Sequence, residues 1–129
     1  MTPVLLDTHV LLWWLSAPER LSARCRALFD DPERQLLLSS VSTAEIAIKA
    51  SIGRLELPIP VGELVNQALR EDGLTPLAFE HRHAAALATL PLYHRDPFDR
   101  MLLAQALTEG IPLASADRAL LEYDIELLW

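Results

Sequence analysis

Four acids stand where a carboxylate can do chemistry: Asp7, Glu45, Asp99 and Asp117, with Asp96 three residues ahead of Asp99. Asp7 and Asp117 each follow a short apolar run and precede a helical one. Glu45 and Asp99 fall in what read as the first turns of helices. In a parallel α/β sheet those places share one edge, the crevice where such folds take ligands. Carboxylates meeting there repel one another unless a cation intervenes. All-oxygen ligands favour Mg²⁺ or Mn²⁺, ions that keep waters and engage phosphate oxygens. The chemistry this implies is metal-assisted phosphodiester hydrolysis, in which the ion activates a water and neutralises charge on the scissile phosphate. Each acid also has a plain structural reading. Asp7 and Asp117 read as N-caps, and Glu45 as the acid of a capping box begun at Ser42 or as the partner of Lys49. Asp96 and Asp99 read as the acids of one helix start.

The stretch from His94 to Ala106 anchors the chain. Asp96 is the expected N-cap, Pro97 takes the first helical position where no N–H is needed, and Asp99 lies in the first turn. Phe98, Met101, Leu102, Gln105 and Ala106 recur at three-to-four spacing and form a buried face. Gly110 ends this helix. Around it, strands are expected at Pro3–Leu6, Gln35–Ser39, Leu74–Phe79, Ile111–Ser115 and Ile125–Trp129, the last at an edge. Helices are expected at Thr8–Leu15, Pro18–Asp30, from Ser42 to Gly53, at Val61–Glu71 and at Glu80–Leu90, with one helical turn at Ala119–Glu122. Short apolar strands alternating with helices predict a single α/β domain over residues 1–129: a parallel sheet of about five strands flanked by helices.

The chain has 129 residues, is 51% hydrophobic and carries a net charge of −7 from 18 acids and 11 bases. It is long enough for a real core, and disorder is excluded. The acidic balance argues against a simple electrostatic nucleic-acid clamp but not against a nuclease whose acids bind metal, since bound divalent ions reverse the local field. Cys25 is the only cysteine, so no internal disulfide or zinc array forms, and a reducing cytoplasmic compartment is expected. The opening stretch shows no basic leader. Its apolar run from Val4 to Leu15 is interrupted by Asp7 and His9 and is too short to span a bilayer. From Val10 to Leu15 that run covers every face of a helix, so part of it must meet another element or a partner chain, and a homodimer is expected.

Other side chains carry weaker signals. His9, His81, His83 and His94 form no recognisable ligand set; His81 and His83 are expected on different faces, and a general-base role is disfavoured for all four, least so for His94. Trp13 and Trp14 read as packing or partner contacts ahead of base stacking. Arg20, Arg24 and Arg26 read as a solvated helix face. Lys49, the only lysine, is divided between an ion pair with Glu45 and a phosphate contact.

The order Asp7, Glu45, Asp99, Asp117 resembles that of the PIN-domain nucleases, and the likeness extends along nearly the whole chain. The opening Leu-Leu-Asp7-Thr8-His9, Ser42-Thr43-Ala44-Glu45-Ile46, the His94-Arg95-Asp96-Pro97-Phe98-Asp99-Arg100 block and Ser115-Ala116-Asp117 look like the VapC-type toxins of bacterial toxin–antitoxin pairs. The third block is the most specific of these. The resemblance implies a parallel sheet, four acids holding one or two Mg²⁺ or Mn²⁺ ions, an RNA substrate, a dimer, and silencing by a cognate antitoxin. It puts metal coordination on Asp7 and Asp99 first, then on Glu45 and Asp117. Thr8 and Ser115 become helpers that orient a ligand or water, and Asp96 a cap or support. Three other readings compete. A phosphoacceptor receiver domain needs a lysine at the end of the last strands, where none lies. A catalytically silent interaction module would have little use for all four acids. A DNA-cleaving relative shares the same acids.

Overall fold

The computed structural model describes residues 2–129. Strand β1 (Val4–Leu6) leads into helix α1 (Thr8–Ser16) and α2 (Ala23–Asp30); β2 (Leu36–Ser39) leads into α3 (Ser40–Ser51) and α4 (Val61–Arg70). Then come β3 (Thr75–Leu77), α5 (His81–Ala86), α6 (Pro97–Glu109), β4 (Leu113–Ala114) and β5 (Leu127–Leu128). The strands form one five-stranded sheet in the order β3-β2-β1-β4-β5. All four pairings are parallel, with Leu5 opposite both Leu37 and Leu113. The chain winds outward from β1 to β3, then crosses back to β4, so the direction reverses between β1 and β4. The carboxyl ends of those two neighbouring strands flank the crevice that such a reversal opens.

Period-two alternation along the strands builds two cores. Val4, Leu6, Leu36, Leu38, Ala114 and Leu128 face one cluster, with α1, α2 and α4 packed on it. Leu5, Leu37, Leu113 and Leu127 face the other, against Leu102, Leu103 and Ala106 of α6. Burial on both faces explains why the strands read as unbroken apolar runs. In α6 five consecutive residues, Leu102 to Ala106, are buried, more than one face of the helix.

Several boundaries differ from the sequence expectation, for local reasons. The helix expected over Pro18–Asp30 is a 3₁₀ turn at Pro18–Arg20, then a break, then α2. Ser22 makes the break by accepting from the Cys25 amide at 3.0 Å as an N-cap. Helix α3 starts at Ser40, not Ser42, because the Ser39 hydroxyl caps it at the Val41 amide, 3.0 Å away. Glu45 therefore lies beyond the first turn, and Ser42 does not open a capping box. The Ala-rich helix is regular only over His81–Ala86; i→i+3 bonds carry it on to Leu90. The apolar surround of α1 is largely covered within the chain. Trp14 stacks on Phe29 at 4.5 Å between ring centroids, and Trp13 lies against Trp129 at 5.8 Å. Large exposed apolar side chains sit elsewhere, among them Ile48, Ile52, Leu92 and Tyr93. Among the described residues no helix is long and apolar enough to cross a membrane.

The irregular segment before α6 is pinned by two side chains. The Tyr123 hydroxyl accepts from the Tyr93 and His94 amides at 3.1 and 2.9 Å and donates to the Pro91 carbonyl at 2.7 Å. Arg100 donates to the Pro91 and Leu90 carbonyls at 2.8 and 3.2 Å. Tyr123→Phe strips this segment of its shared partner and is expected to destabilise the protein by about 1–3 kcal/mol. Urea unfolding measures that loss. Amide exchange should quicken at Tyr93 and His94 first; unchanged exchange there would refute the pinning.

Candidate active site

Each acid reaches the crevice on a different element. Asp7 follows β1 and is 5% exposed; its Oδ1 accepts from the Val10 amide at 2.7 Å, capping α1. Asp117 follows β4, and its Oδ1 accepts from the Ala119 amide at 3.0 Å. Glu45 projects from α3, 2% exposed, with Oε2 paired to Lys49 one turn on. Asp99 comes from the first turn of α6, while Asp96 caps that helix by accepting from the Asp99 amide at 3.0 Å. Of the two acids in the block, Asp96 is committed to the backbone and Asp99 lines the crevice.

Asp7, Asp99, Asp117, His9, Trp13 and Ala116 line a cavity of about 280 Å³. Glu45 is close enough for its charge to act on both Asp7 and Asp99. Burial pushes the Asp7 carboxyl up from its ordinary value, against the opposing pull of Ser115 and the Val10 amide. Burial first, then repulsion from Asp96, Asp7 and Glu45, pushes Asp99 up to about 6, while His94 opposes the shift. Glu45 Oε1 is buried and has no hydrogen-bond partner among the described residues. A buried carboxylate oxygen without a donor is costly, and a cation bound beside it removes the cost. Asp99 and Asp117, with His94 between them, bring their ligand atoms close enough to share one ion, and with the orphaned lone pair of Glu45 and the mutually repelling acids this set fits a divalent cation.

His94 is the residue that spacing alone undervalued. Its Nε2 lies 2.8 Å from Asp117 Oδ2 and 3.5 Å from Asp99 Oδ2, bridging the two carboxylates. The Asp96 amide donates to His94 Nδ1 at 3.2 Å, so the other ring nitrogen carries the proton and donates to Asp117. Position in the block was its only sequence signal. Thr8 serves the architecture, because its hydroxyl donates to Ser42 at 3.0 Å and ties α1 to the helix bearing Glu45. The Ser115 hydroxyl accepts from the Asp117 amide at 3.1 Å. His81 and His83 point apart, as expected. His83 is buried, with Nδ1 accepting from the Glu80 amide at 2.9 Å and Nε2 on Glu109 at 2.8 Å, so it joins α5 to α6.

An open parallel sheet with carboxylates gathered at its reversal point defines an α/β protein with an acidic ligand crevice. Among known families the chain matches the PIN domain over residues 4–126, and it belongs to that family. It is 35% identical over 123 residues to ribonuclease VapC22 of Mycobacterium tuberculosis, covering 93% of this chain and 91% of the relative. A shorter match, 38% over 60 residues, reaches ribonuclease VapC16 of the same organism and covers 46% and 43% of the two chains. The fold is shared with a chain in the crystal structure of VapBC2 from Rickettsia felis bound to a promoter DNA fragment. That match has a TM-score of 0.71 and 12% identity, covering 97% and 96% of the chains. It is shared equally with DNA-bound VapBC from Salmonella typhimurium, TM-score 0.71 at 18% identity, covering 98% and 97%.

Asp99 generates a stability prediction. Its native value near 6 lies above the ordinary 3.8, so between about pH 4 and 6 the native state binds the proton more tightly than the unfolded chain. This group's destabilising contribution is therefore absent at low pH and present in full above pH 6, and it amounts to no more than about 3 kcal/mol. In EDTA at pH 7, Asp99→Asn should melt above wild type, and the gap should shrink by pH 5. Added Mg²⁺ should raise the wild-type melting temperature more than that of the variant. Equal shifts in the two proteins would remove the repulsion from the account.

Proposed function

We propose that the chain, acting as one unit over residues 1–129, is a Mg²⁺- or Mn²⁺-dependent endoribonuclease and the toxin of a toxin–antitoxin pair. The observation that carries this reading is the buried, unpartnered Glu45 Oε1 beside a cavity lined by Asp7, Asp99 and Asp117. Membership of the PIN family and the full-length likeness to a protein named a ribonuclease support the choice of RNA over DNA. The structural neighbours, being VapBC complexes, support a cognate antitoxin as partner. The exposed Ile48, Ile52, Leu92 and Tyr93 supply apolar surface for that partner and for a second copy of the chain. The free Cys25 accords with a cytoplasmic setting.

In this reading Asp7 and Asp99 hold the ion, and Glu45 and Asp117 complete its surroundings directly or through waters. A divalent ion held there would activate a water and neutralise charge on the phosphate. The chain's own part is placement. The α1 and Asp117 caps fix one oxygen of each strand-end acid, Lys49 fixes Glu45, and Asp96 fixes the start of α6. By analogy with the family, water attacks in line with the O3′ leaving group and the P–O3′ bond breaks, leaving a 5′-phosphate and a 3′-hydroxyl with no role for the substrate's 2′-hydroxyl as nucleophile.

Cleavage of a structured RNA with Mg²⁺, with EDTA and with three variants tests this. Asp7→Asn and Asp99→Asn should each lower the rate on the order of 10²-fold or more, and EDTA should abolish it. Asp96→Asn, which still caps, should cost about 1 kcal/mol or less in stability and keep much of the activity. Cleavage that persists in EDTA, or products ending in a 2′,3′-cyclic phosphate, would sink the mechanism. An inactive Asp96→Asn beside an active Asp99→Asn would move the ligand role to Asp96.

A further inference from the structure

A second, larger cleft adjoins the acid cavity. It encloses about 490 Å³, within the roughly 300–1,000 Å³ that small-ligand sites occupy. Helix α1 supplies one wall with His9, Leu12 and Trp13; Glu45 and Lys49 of α3, with Arg54 just beyond that helix, supply the other. The helical period places these residues, since 9, 12 and 13 share a face of α1, as 45 and 49 share a face of α3. His9 and Trp13 line both cavities, so the cleft and the acids are two parts of one groove. The His9 and Trp13 rings lie 5.9 Å apart between centroids. Lys49 is paired to Glu45, whereas no hydrogen bond or ion pair engages the exposed Arg54 guanidinium among the described residues.

In a chain of net charge −7, a free arginine opposite an aromatic wall, one step from a cluster of acids, is a specific arrangement. An apolar peptide segment would have no use for the cation, and a free anion none for the rings. We propose that this cleft is a subsite for one nucleotide of single-stranded RNA flanking the scissile bond, with its phosphate on Arg54 and its base against His9, beside a Trp13 ring that already carries the Arg20 guanidinium 5.5 Å from its centroid. The subsite rests on the ribonuclease reading above and adds to it the residues that hold the strand. Guanidinium geometry suits phosphate oxygens, and the rings accept a base only when it is unstacked from its neighbours.

The test uses the full chain carrying Asp99→Asn, to suppress turnover, and a short mixed-sequence single-stranded RNA in Mg²⁺, read by fluorescence anisotropy. Adding Arg54→Ala should weaken binding about fivefold or more and lower the slope of log K against log salt by about 0.7, the counterion release of one phosphate contact. Arg70→Ala removes an exposed arginine outside the cleft, with the same change in charge, and should leave both quantities unchanged. His9→Ala should weaken binding about threefold or more without altering the salt slope, because stacking releases no counterion. Equal losses from Arg54→Ala and Arg70→Ala would reduce the effect to net charge and overturn the subsite. RNA binding untouched by Arg54→Ala and His9→Ala, with antitoxin binding weakened instead, would assign the cleft to a protein segment and overturn it as well. A wild type that cleaves RNA while Arg54→Ala binds normally sinks the subsite alone. A wild type that neither cleaves nor binds RNA sinks both readings.

Discussion

Carboxylates drawn into one partly buried crevice repel one another, and much of this molecule is arranged around that repulsion. The sheet order sets the problem by putting the ends of β1 and β4 side by side, which brings Asp7 and Asp117 together. Helices α3 and α6 then add Glu45 and Asp99. Compensation is spread over many groups. Backbone amides take one oxygen each of Asp7, Asp96 and Asp117, Lys49 takes one of Glu45, and the His94 Nε2–H lies between Asp117 and Asp99. What stays uncompensated is local: one oxygen of Glu45 and the raised carboxyls of Asp7 and Asp99. A cation placed there would relieve them together.

This distribution also dissolves the choice between caps and ligands that the sequence presents. A carboxylate has two oxygens, and a cap needs only one. Asp7 satisfies the Val10 amide with Oδ1 and lines the crevice as well, so the structural and the chemical readings are both correct. Asp96 likewise caps with one oxygen, and what distinguishes it is place: Asp99 lines the cavity beside Asp7 and Asp117, and Asp96 is not among the lining residues.

The strands and the anchor helix were legible because their signals are local. Apolar runs mark β1 and β2, and Asp96-Pro97 and Gly110 mark the ends of α6, where Gly110 adopts a φ of 67°. Boundaries failed where a serine offered the backbone a competing partner, at Ser22 and Ser39. Long-range contacts had no sequence signal at all. Tyr123 meets the amides of Tyr93 and His94 across about thirty residues, and Thr8 meets Ser42 across 34. His94 was undervalued for the same reason: its importance depends on Asp117, which only the sheet brings near.

The competing functions can be weighed by what each asks of the charges. A phosphoacceptor domain needs its lysine beside the last strands, but Lys49 is on α3 and committed to Glu45. A silent interaction module could keep Asp7 and Asp117 for their caps, and it could keep Asp96. It would gain nothing from Asp99, whose side chain accepts no backbone amide and whose charge is held against burial and three neighbouring acids. Asparagine there would preserve the shape and remove the repulsion. A charge that weakens the fold and caps no helix is what a bound cation would account for. The unpartnered oxygen of Glu45, whose charge acts on both Asp7 and Asp99, would be met by the same cation.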